Sequence, residues 1–328
     1  MTFVEVLVLK HAQASSIAIT FDVLATANRL RQSAGRAPPF AVGVTGSGAR
    51  SVQGLMRAAL PTGTGDGEPS LVIVPGLGLS DEASMAQGLA RRGAVEGRER
   101  LLHAAAAGAE IATSCSGTFL VAEAGLLQGR RATTTWWLAP LFRQRYPGVK
   151  LDTDALIVRD GLITTAGAAM AHLDLMLALV ARHAGRPLAD LCAQYLLLDE
   201  RRSQARYMAL GHLAAGDERV ARAERFARHR LEAGFTMDDL AEAACLSPRT
   251  FARRLQQTLG MSPVRFVQKL RVERAVELLE TTRLPFGTIA QRVGYAEPST
   301  LRRLIRREHG AEPRRFRGKR HAGDALSS

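Results

Sequence analysis

Residues 247–260, SPRTFARRLQQTLG, return fifty positions later as residues 297–310, EPSTLRRLIRREHG. The same offset carries Phe251 onto Leu301, Leu255 onto Ile305, Gly260 onto Gly310, Pro263 onto Pro313 and Phe266 onto Phe316. Leu240-Ala241 recurs as Ile289-Ala290 at an offset of 49. A repeat of this length marks two copies of one supersecondary unit. Each copy predicts a short helix, a tight turn and a second helix. Ser247 suits the cap of that second helix, and Pro248 suits its first position, where the missing N–H has no partner to lose. Phe251 and Leu255 lie four apart on one face, as Leu301 and Ile305 do, so each second helix buries an apolar stripe. The opposite stripe presents Arg249, Ala252, Arg253 and Gln256 in the first copy, and Ser299, Arg302, Arg303 and Arg306 in the second. Such a helix behind a tight turn suits the DNA major groove, where arginine pairs with guanine edges or neutralises phosphate. Between the copies, PVRFVQKLRVERAVELLE (263–280) predicts one long amphipathic helix that holds the units apart. Two recognition helices on one face would reach successive major grooves about 34 Å apart, with bending of the DNA where the spacings differ.

Charge divides the 328-residue chain in the same way. Residues 1–200 carry 18 Lys and Arg against 17 Asp and Glu, and residues 201–328 carry 26 against 14. A basic half joined to a neutral half points to a polyanion-binding module carried by another domain. The length suits two domains, and a hydrophobic content of 46% suits a globular chain. Residues 1–13 lack a basic n-region, and the apolar run 170–181 is too short for a bilayer and contains Asp174. Neither a signal peptide nor a membrane span is expected. Cys115, Cys192 and Cys245 are too scattered for a disulfide framework or a metal cluster. A reduced, cytoplasmic chain without metal or other cofactor is expected.

The first two hundred residues alternate short apolar runs with longer amphipathic ones. FVEVLVL (3–9), FAVGVTG (40–46), SLVIVPG (70–76), EIATSC (110–115) and LITTAG (162–167) read as buried strands. Helical patterns lie between or after them at 17–34, 96–107, 119–127 and 170–184. The alternation predicts a doubly wound, flavodoxin-like α/β layer with a parallel sheet covered on both faces. A glycine-rich run at 63–70 reads as a flexible surface loop. Strand signals stop after Asp199, which gives an α/β domain at 1–199, a linker at 200–218, an all-α tandem helix-turn-helix domain at 219–317 and a disordered tail at 318–328.

The run FTMDDLAEAACLSPRTFARRLQQTLGMSPVRFVQKLRVERAVELL, followed by IAQRVGYAEPSTLRRLIRREHGAEPRRFR, resembles the AraC/XylS family of transcription regulators. The resemblance covers roughly 219–317 and implies DNA contacts from the exposed positions of both recognition helices: Arg249, Ala252, Arg253, Ser299, Arg302 and Arg303. Alanine at 252 offers only apolar contact, for example to a thymine methyl. It also favours activation, and hence contact with RNA polymerase.

Cys115 follows a predicted strand and precedes a predicted helix, the setting of a nucleophile elbow. The run CSGTFLVAEAGLLQGRRATTTWW (115–137) resembles the class I glutamine-amidotransferase-like (PfpI-type) domains fused to AraC-type regulators, the GlxA group. Enzymatic relatives of that kind place a histidine at the position of Thr135 and an acidic residue near that of Asn28. Neither a threonine nor an amide activates a thiol, so the resemblance implies a dismantled catalytic site and a surviving ligand pocket. His172, on an apolar helix, reads as structural. Asp22, Asn28, Cys115, Ser116 and Trp136 are the candidates for lining the pocket, which is expected over the carboxyl ends of the strands. An aromatic face at Trp136-Trp137 suits a quaternary ammonium.

The resulting expectation is a sequence-specific regulator of double-stranded DNA, controlled by a small-molecule effector and acting as a homodimer. Two alternatives are a Cys115-dependent hydrolase or amidotransferase that also binds DNA, and a nonspecific DNA-coating protein.

Overall fold

The computed structural model describes residues 1–60, 67–198, 201, 203–204 and 207–317. The tail at 318–328 and positions 61–66 of the glycine-rich region lie outside the described residues. The chain divides into two compact units, Met1–Gln204 and Ala205–Ser328.

In the first unit, β1 (Thr2–Leu7), α1 (Ala14–Ser33), β2 (Phe40–Thr45), α2 (Ala49–Ala59) and β3 (Leu71–Val74) lead to α3 (Glu82–Ala90), α4 (Arg92–Ala106) and β4 (Glu110–Ser114). There follow α5 (Gly117–Glu123), β5 (Arg131–Ala132), α6 (Ala139–Arg145), β6 (Lys150–Leu151), β7 (Ile157–Asp160), β8 (Ile163–Ala166), α7 (Ala171–Ala184) and α8 (Arg186–Tyr195). Six strands form one sheet in the order β2-β1-β3-β4-β8-β7. Alternate residues of each strand face opposite sides. Val4, Val6 and Ile73 join the core beneath α1, α7 and α8, while Leu7, Val72 and Val74 join the core beneath α3 to α6.

The sheet is mixed, whereas a parallel one was expected. β7 runs antiparallel to β8 across a two-residue turn, with Gly161 at φ 63°. Glycine at the first central position of the Gly161-Leu162 turn is a hairpin feature, and an antiparallel edge strand is common on otherwise parallel sheets. The amino end of β4 is tied to α7 through Glu110, which is 3% exposed. Its carboxylate accepts from Arg182 at 2.7 Å, from the His183 ring at 3.1 Å and from the Thr164 hydroxyl at 3.3 Å.

The second unit is helical: α9 (Leu210–Ala214), α10 (Glu218–Arg230), α11 (Met237–Ala243), α12 (Pro248–Thr258), α13 (Pro263–Thr281), α14 (Phe286–Arg292) and α15 (Pro298–His309), closed by a 3-10 turn at Pro313–Phe316. Described residues of the segment read as a linker at 200–218 pack within the units themselves. Gln204 is buried in the first, where its amide nitrogen lies 3.1 Å from Thr133 Oγ1 and 3.1 Å from the Thr134 carbonyl. In the second, α9 packs on α10 through buried Leu210 and Leu213. Polarity alone missed both, because a buried glutamine and a single apolar helical turn leave little trace in a charged stretch.

Glu110 predicts a pH dependence. Burial pushes its pKa up, but the His183 hydrogen bond and the Arg182 charge more than offset this and leave it below the usual value. A depressed carboxyl contributes stability that is present above its unfolded pKa and is lost as pH falls through its folded one. Glu110→Gln is expected to cost about 2 kcal/mol near neutral pH and to flatten acid unfolding, measured by urea titration across pH. Unchanged stability at neutral pH would show that the cluster contributes nothing. A second expectation concerns the turn before α12. Cys245 sits there at φ 52°, where the equivalent residue of the second copy is Gly294 at φ 84°. Relief of left-handed strain, partly offset by glycine's freedom in the unfolded chain, makes Cys245→Gly stabilising by about 0.5 kcal/mol. A lower thermal midpoint for the variant would contradict this.

Candidate functional site

The basic face of the second unit is built from its two cores. Ser247 caps α12 by accepting from the Thr250 N–H at 3.4 Å, with Pro248 next in the helix. Phe251 and Leu255 are buried, so Arg249, Arg253, Gln256 and Gln257 face solvent and Ala252 is half-buried. In α15, buried Leu301, Leu304 and Ile305 leave Ser299, Arg302, Arg303, Arg306 and Arg307 outside. The helix ends at Gly310 in the left-handed conformation. The neighbouring charges sort these arginines. Arg254 is held by Asp217 at 2.7 Å, Arg306 by Glu312 at 3.2 Å, and Arg307 donates to Gln268 at 3.1 Å. Arg302 lies 5.5 Å over the Phe286 ring, which orients it without neutralising it. Arg249, Arg253 and Arg303 have no carboxylate partner among the described residues.

The long helix α13 holds these faces in place. It buries Phe266 and Leu270 toward α10 and α12, and Val272, Ala275 and Leu279 in the core of the second copy. Arg265 on α13 bonds Glu308 on α15 at 2.7 Å, with Glu308 almost fully buried. The spacing of the two copies is therefore set by a rigid element.

In the first unit, β4 ends at Cys115 in the left-handed conformation, φ 54°, a backbone state that costs a cysteine about 1 kcal/mol. Its N–H donates to the carbonyls of Ala166 at 3.1 Å and Gly167 at 2.8 Å. Gly117 lets α5 start against the neighbouring strand end: a Cβ there would stand 2.5 Å from Thr113 Oγ1 and 2.7 Å from the Pro75 carbonyl. The elbow expected from the sequence is present in backbone geometry.

Its chemistry differs from that of an activated thiol. Cys115 is 5% exposed, and burial pushes its pKa up, only partly countered by the dipoles of Ser116, Thr135 and Ala169. The groups that act most on it are neutral. His172 is fully buried between two hydroxyls, with Nε2 2.7 Å from Thr20 Oγ1 and Nδ1 2.8 Å from Ser114 Oγ. Thr20 gives its proton to the Ser16 carbonyl at 2.8 Å, so it accepts from Nε2–H, and Ser114 donates to Nδ1. Burial lowers the His172 pKa to about 4. The ring is thus neutral near pH 7, with both nitrogens engaged beside α1 and β4, in the structural role expected of it.

The other site candidates separate. Ser116 lies at the elbow, where its hydroxyl accepts from the Leu77 N–H at 3.0 Å. Thr135 is buried next to Trp136, which opens a 3-10 turn at Trp136–Leu138. Trp136 and Trp137 meet edge to face, with centroids 5.3 Å apart, rather than as two faces converging on one cation. Asn28 does not join them. Its amide brackets the backbone of Phe40, donating to the carbonyl at 2.8 Å and accepting from the N–H at 3.0 Å. Phe40 begins β2, so Asn28 lies at the amino end of the sheet, opposite the elbow. Asp22 is exposed in the middle of α1 and neither lines the elbow nor caps the helix.

The residues that do face the thiol come from the start of α1 and the end of β3. A Cβ on Gly76 would stand 2.7 Å from Gln13 Oε1, 3.4 Å from the Cys115 Cβ and 3.6 Å from Ser16 Oγ. Ser16 Oγ and Thr135 Oγ1 are buried without a hydrogen bond of ordinary geometry among the described residues. The signal for Gln13 and Ser16 was available: in a parallel sheet the residues leaving β1 must lie over the same edge as those leaving β4.

A helix-turn-helix domain family matches residues 240–319. The HTH-type transcriptional regulator ArgR of Pseudomonas aeruginosa is 29% identical over 227 residues, 68% of this chain and 69% of that one. The HTH-type transcriptional regulator GlxA of Rhizobium meliloti is 27% identical over 219 residues, 63% of this chain and 64% of that one. Roughly a third of each relative lies outside the match. An AraC family transcriptional regulator from Pseudomonas putida, known by crystal structure, aligns with 60% of this chain and 100% of its own at 22% identity and a TM-score of 0.44. With its repeated helix-turn-helix plan and the family match, the second unit is a helix-turn-helix DNA-binding domain of the AraC type, and the chain as a whole is similar to transcription regulators that carry such a domain.

Proposed function

We propose that the chain is a cytoplasmic, effector-controlled transcription regulator: the α/β unit senses a small metabolite and the helical unit reads a DNA site as part of a homodimer. The observation that carries the reading is the equivalent placement of Arg253 and Arg303. Each is exposed on its recognition helix, free of carboxylates among the described residues, and fixed relative to the other by α13. Arg249, Ala252, Ser299 and Arg302 complete the proposed DNA face. A dimer doubles the recognition elements and multiplies affinity without any new contact. Activation through RNA polymerase follows the resemblance to AraC/XylS regulators.

Sensing without catalysis fits the elbow. A buried thiol with a raised pKa and neutral groups as its main neighbours is a poor nucleophile, while the buried Ser16 hydroxyl, unsatisfied among the described residues, favours a polar guest. A guest controls DNA binding to the extent that it prefers one arrangement of the protein.

Selection of genomic fragments by the purified protein, with and without random competitor DNA, tests the reading. A motif with two blocks about one helical turn apart is expected. Recovery that follows only the salt concentration, with no motif, would reduce the helical unit to nonspecific binding. On the selected site Arg253→Ala and Arg303→Ala are each expected to cost about 1–3 kcal/mol, with a smaller loss on random DNA. Equal losses on both would make them phosphate contacts. Cys115→Ala is expected to leave DNA affinity unchanged. In the native protein, iodoacetamide is expected to modify Cys115 slowly until the pH passes the ordinary thiol range, because the raised pKa keeps the thiolate scarce. Rapid modification near neutral pH would revive an enzymatic reading.

A further inference from the structure

We propose that a cavity at the switch point between β1 and β3, beside the elbow but formed by other residues, binds a small aliphatic carboxylate. If the α/β unit is the sensor, as proposed above, this cavity is its effector site. In the strand order β2-β1-β3-β4 the chain leaves β1 and β3 in opposite directions, which opens a crevice at their carboxyl ends. Residues that follow β1, β2 and β3 close that crevice against the junction of α3 and α4, leaving a cavity of about 240 Å³. That is roughly the space of eight waters, enough for a short-chain acid.

The lining has two characters. Leu9, Leu77, Leu79 and Ala94 make an apolar floor, and all but half-exposed Leu79 are buried. Lys10, His11, Arg91 and Arg92 stand at the rim, and no carboxylate is among the lining residues. Arg92 is held by Glu96 at 2.7 Å. Lys10 and Arg91 are exposed and have no carboxylate partner among the described residues. Arg91 is also the N-cap of the 15-residue helix α4 and makes no side-chain capping bond, so the positive end of that helix faces the cavity without an internal anion. Ser47 Oγ accepts from the Lys10 N–H at 3.2 Å and keeps its own proton to donate. An apolar floor under a positive rim discriminates against cations by charge and against alcohols by the missing anion.

The walls are fitted closely. A Cβ on Gly93 would stand 2.4 Å from Ser47 Oγ, and a Cβ on Gly88 would stand 2.6 Å from Leu79 Cδ1. A side chain at Gly93 would crowd Ser47, and one at Gly88 would turn the Leu79 side chain away. The cavity also has a mechanical link to the elbow, because the Leu77 N–H donates to Ser116 Oγ.

The test is calorimetric titration of the full chain with acetate, butanoate and hexanoate, using hexylammonium and 1-hexanol as controls of equal length. Affinity is expected to rise about three- to fourfold per added methylene while the chain fits the floor. Hexanoate is expected to bind at least about tenfold tighter than either control. The exposed double variant Lys10→Glu/Arg91→Glu is expected to lose at least about tenfold for hexanoate, while Arg159→Glu on β7 loses nothing. Hexanoate that does not saturate at millimolar concentration, or binds no better than hexylammonium, or binds the double variant equally well, would overturn the proposal. Occupancy of the selected DNA, measured in parallel, separates site from sensing. Acid binding that meets these expectations but leaves DNA occupancy unchanged retains the site and removes the sensing reading. A DNA response to another small molecule that survives in the double variant, with no preference for hexanoate, removes the site and retains the sensing.

Discussion

The burial of two apolar faces by one helix, Pro263–Thr281, is the constraint on which the DNA-facing half depends. A single helix-turn-helix copy has too few apolar residues to close a core alone. Phe266 and Leu270 complete the first copy, and Val272, Ala275 and Leu279 complete the second. Rigidity is thereby a by-product of stability: the helix that supplies both cores also fixes the separation of Arg253 and Arg303. The nearly buried Arg265–Glu308 pair fixes the roll of α15 on this helix, because a displaced Glu308 would leave a charge without its partner.

Much of this was legible because the second unit repeats itself. Pro248 and Pro298, Phe251 and Leu301, and Gly260 and Gly310 each mark a cap, a core contact or a stop, and two copies of every mark leave little freedom in placing the helices. The five parallel strands of the sheet were legible for another reason: buried parallel strands are continuous apolar runs. β7 was not, because it is four residues long with Arg159 exposed and Asp160 at its end, and only the glycine of the Gly161-Leu162 turn announces it.

The candidate site of the α/β unit was legible in part. Cys115 and Ser116 could be placed because strand-cysteine-serine-glycine-helix is a local pattern. Asn28 and Asp22 do not join them: α1 runs for 20 residues, and at 1.5 Å per residue Asn28 lies about 18 Å from Ser16, at the other end of the sheet. Gln13, Ser16 and the cavity lining come from separate loops that only the strand order brings together. No local pattern contains that order.

The corner at Cys115 has a consequence for how movement passes through the α/β unit. Gly117 is wedged against Thr113 Oγ1 and the Pro75 carbonyl, and the Leu77 N–H is tied to Ser116. There is no slack between the loop after β3 and the start of α5. A displacement of one is a displacement of the other, as in a hinge whose pin has been welded. The strained corner is a stiff coupling between the floor of the cavity and the helix behind it.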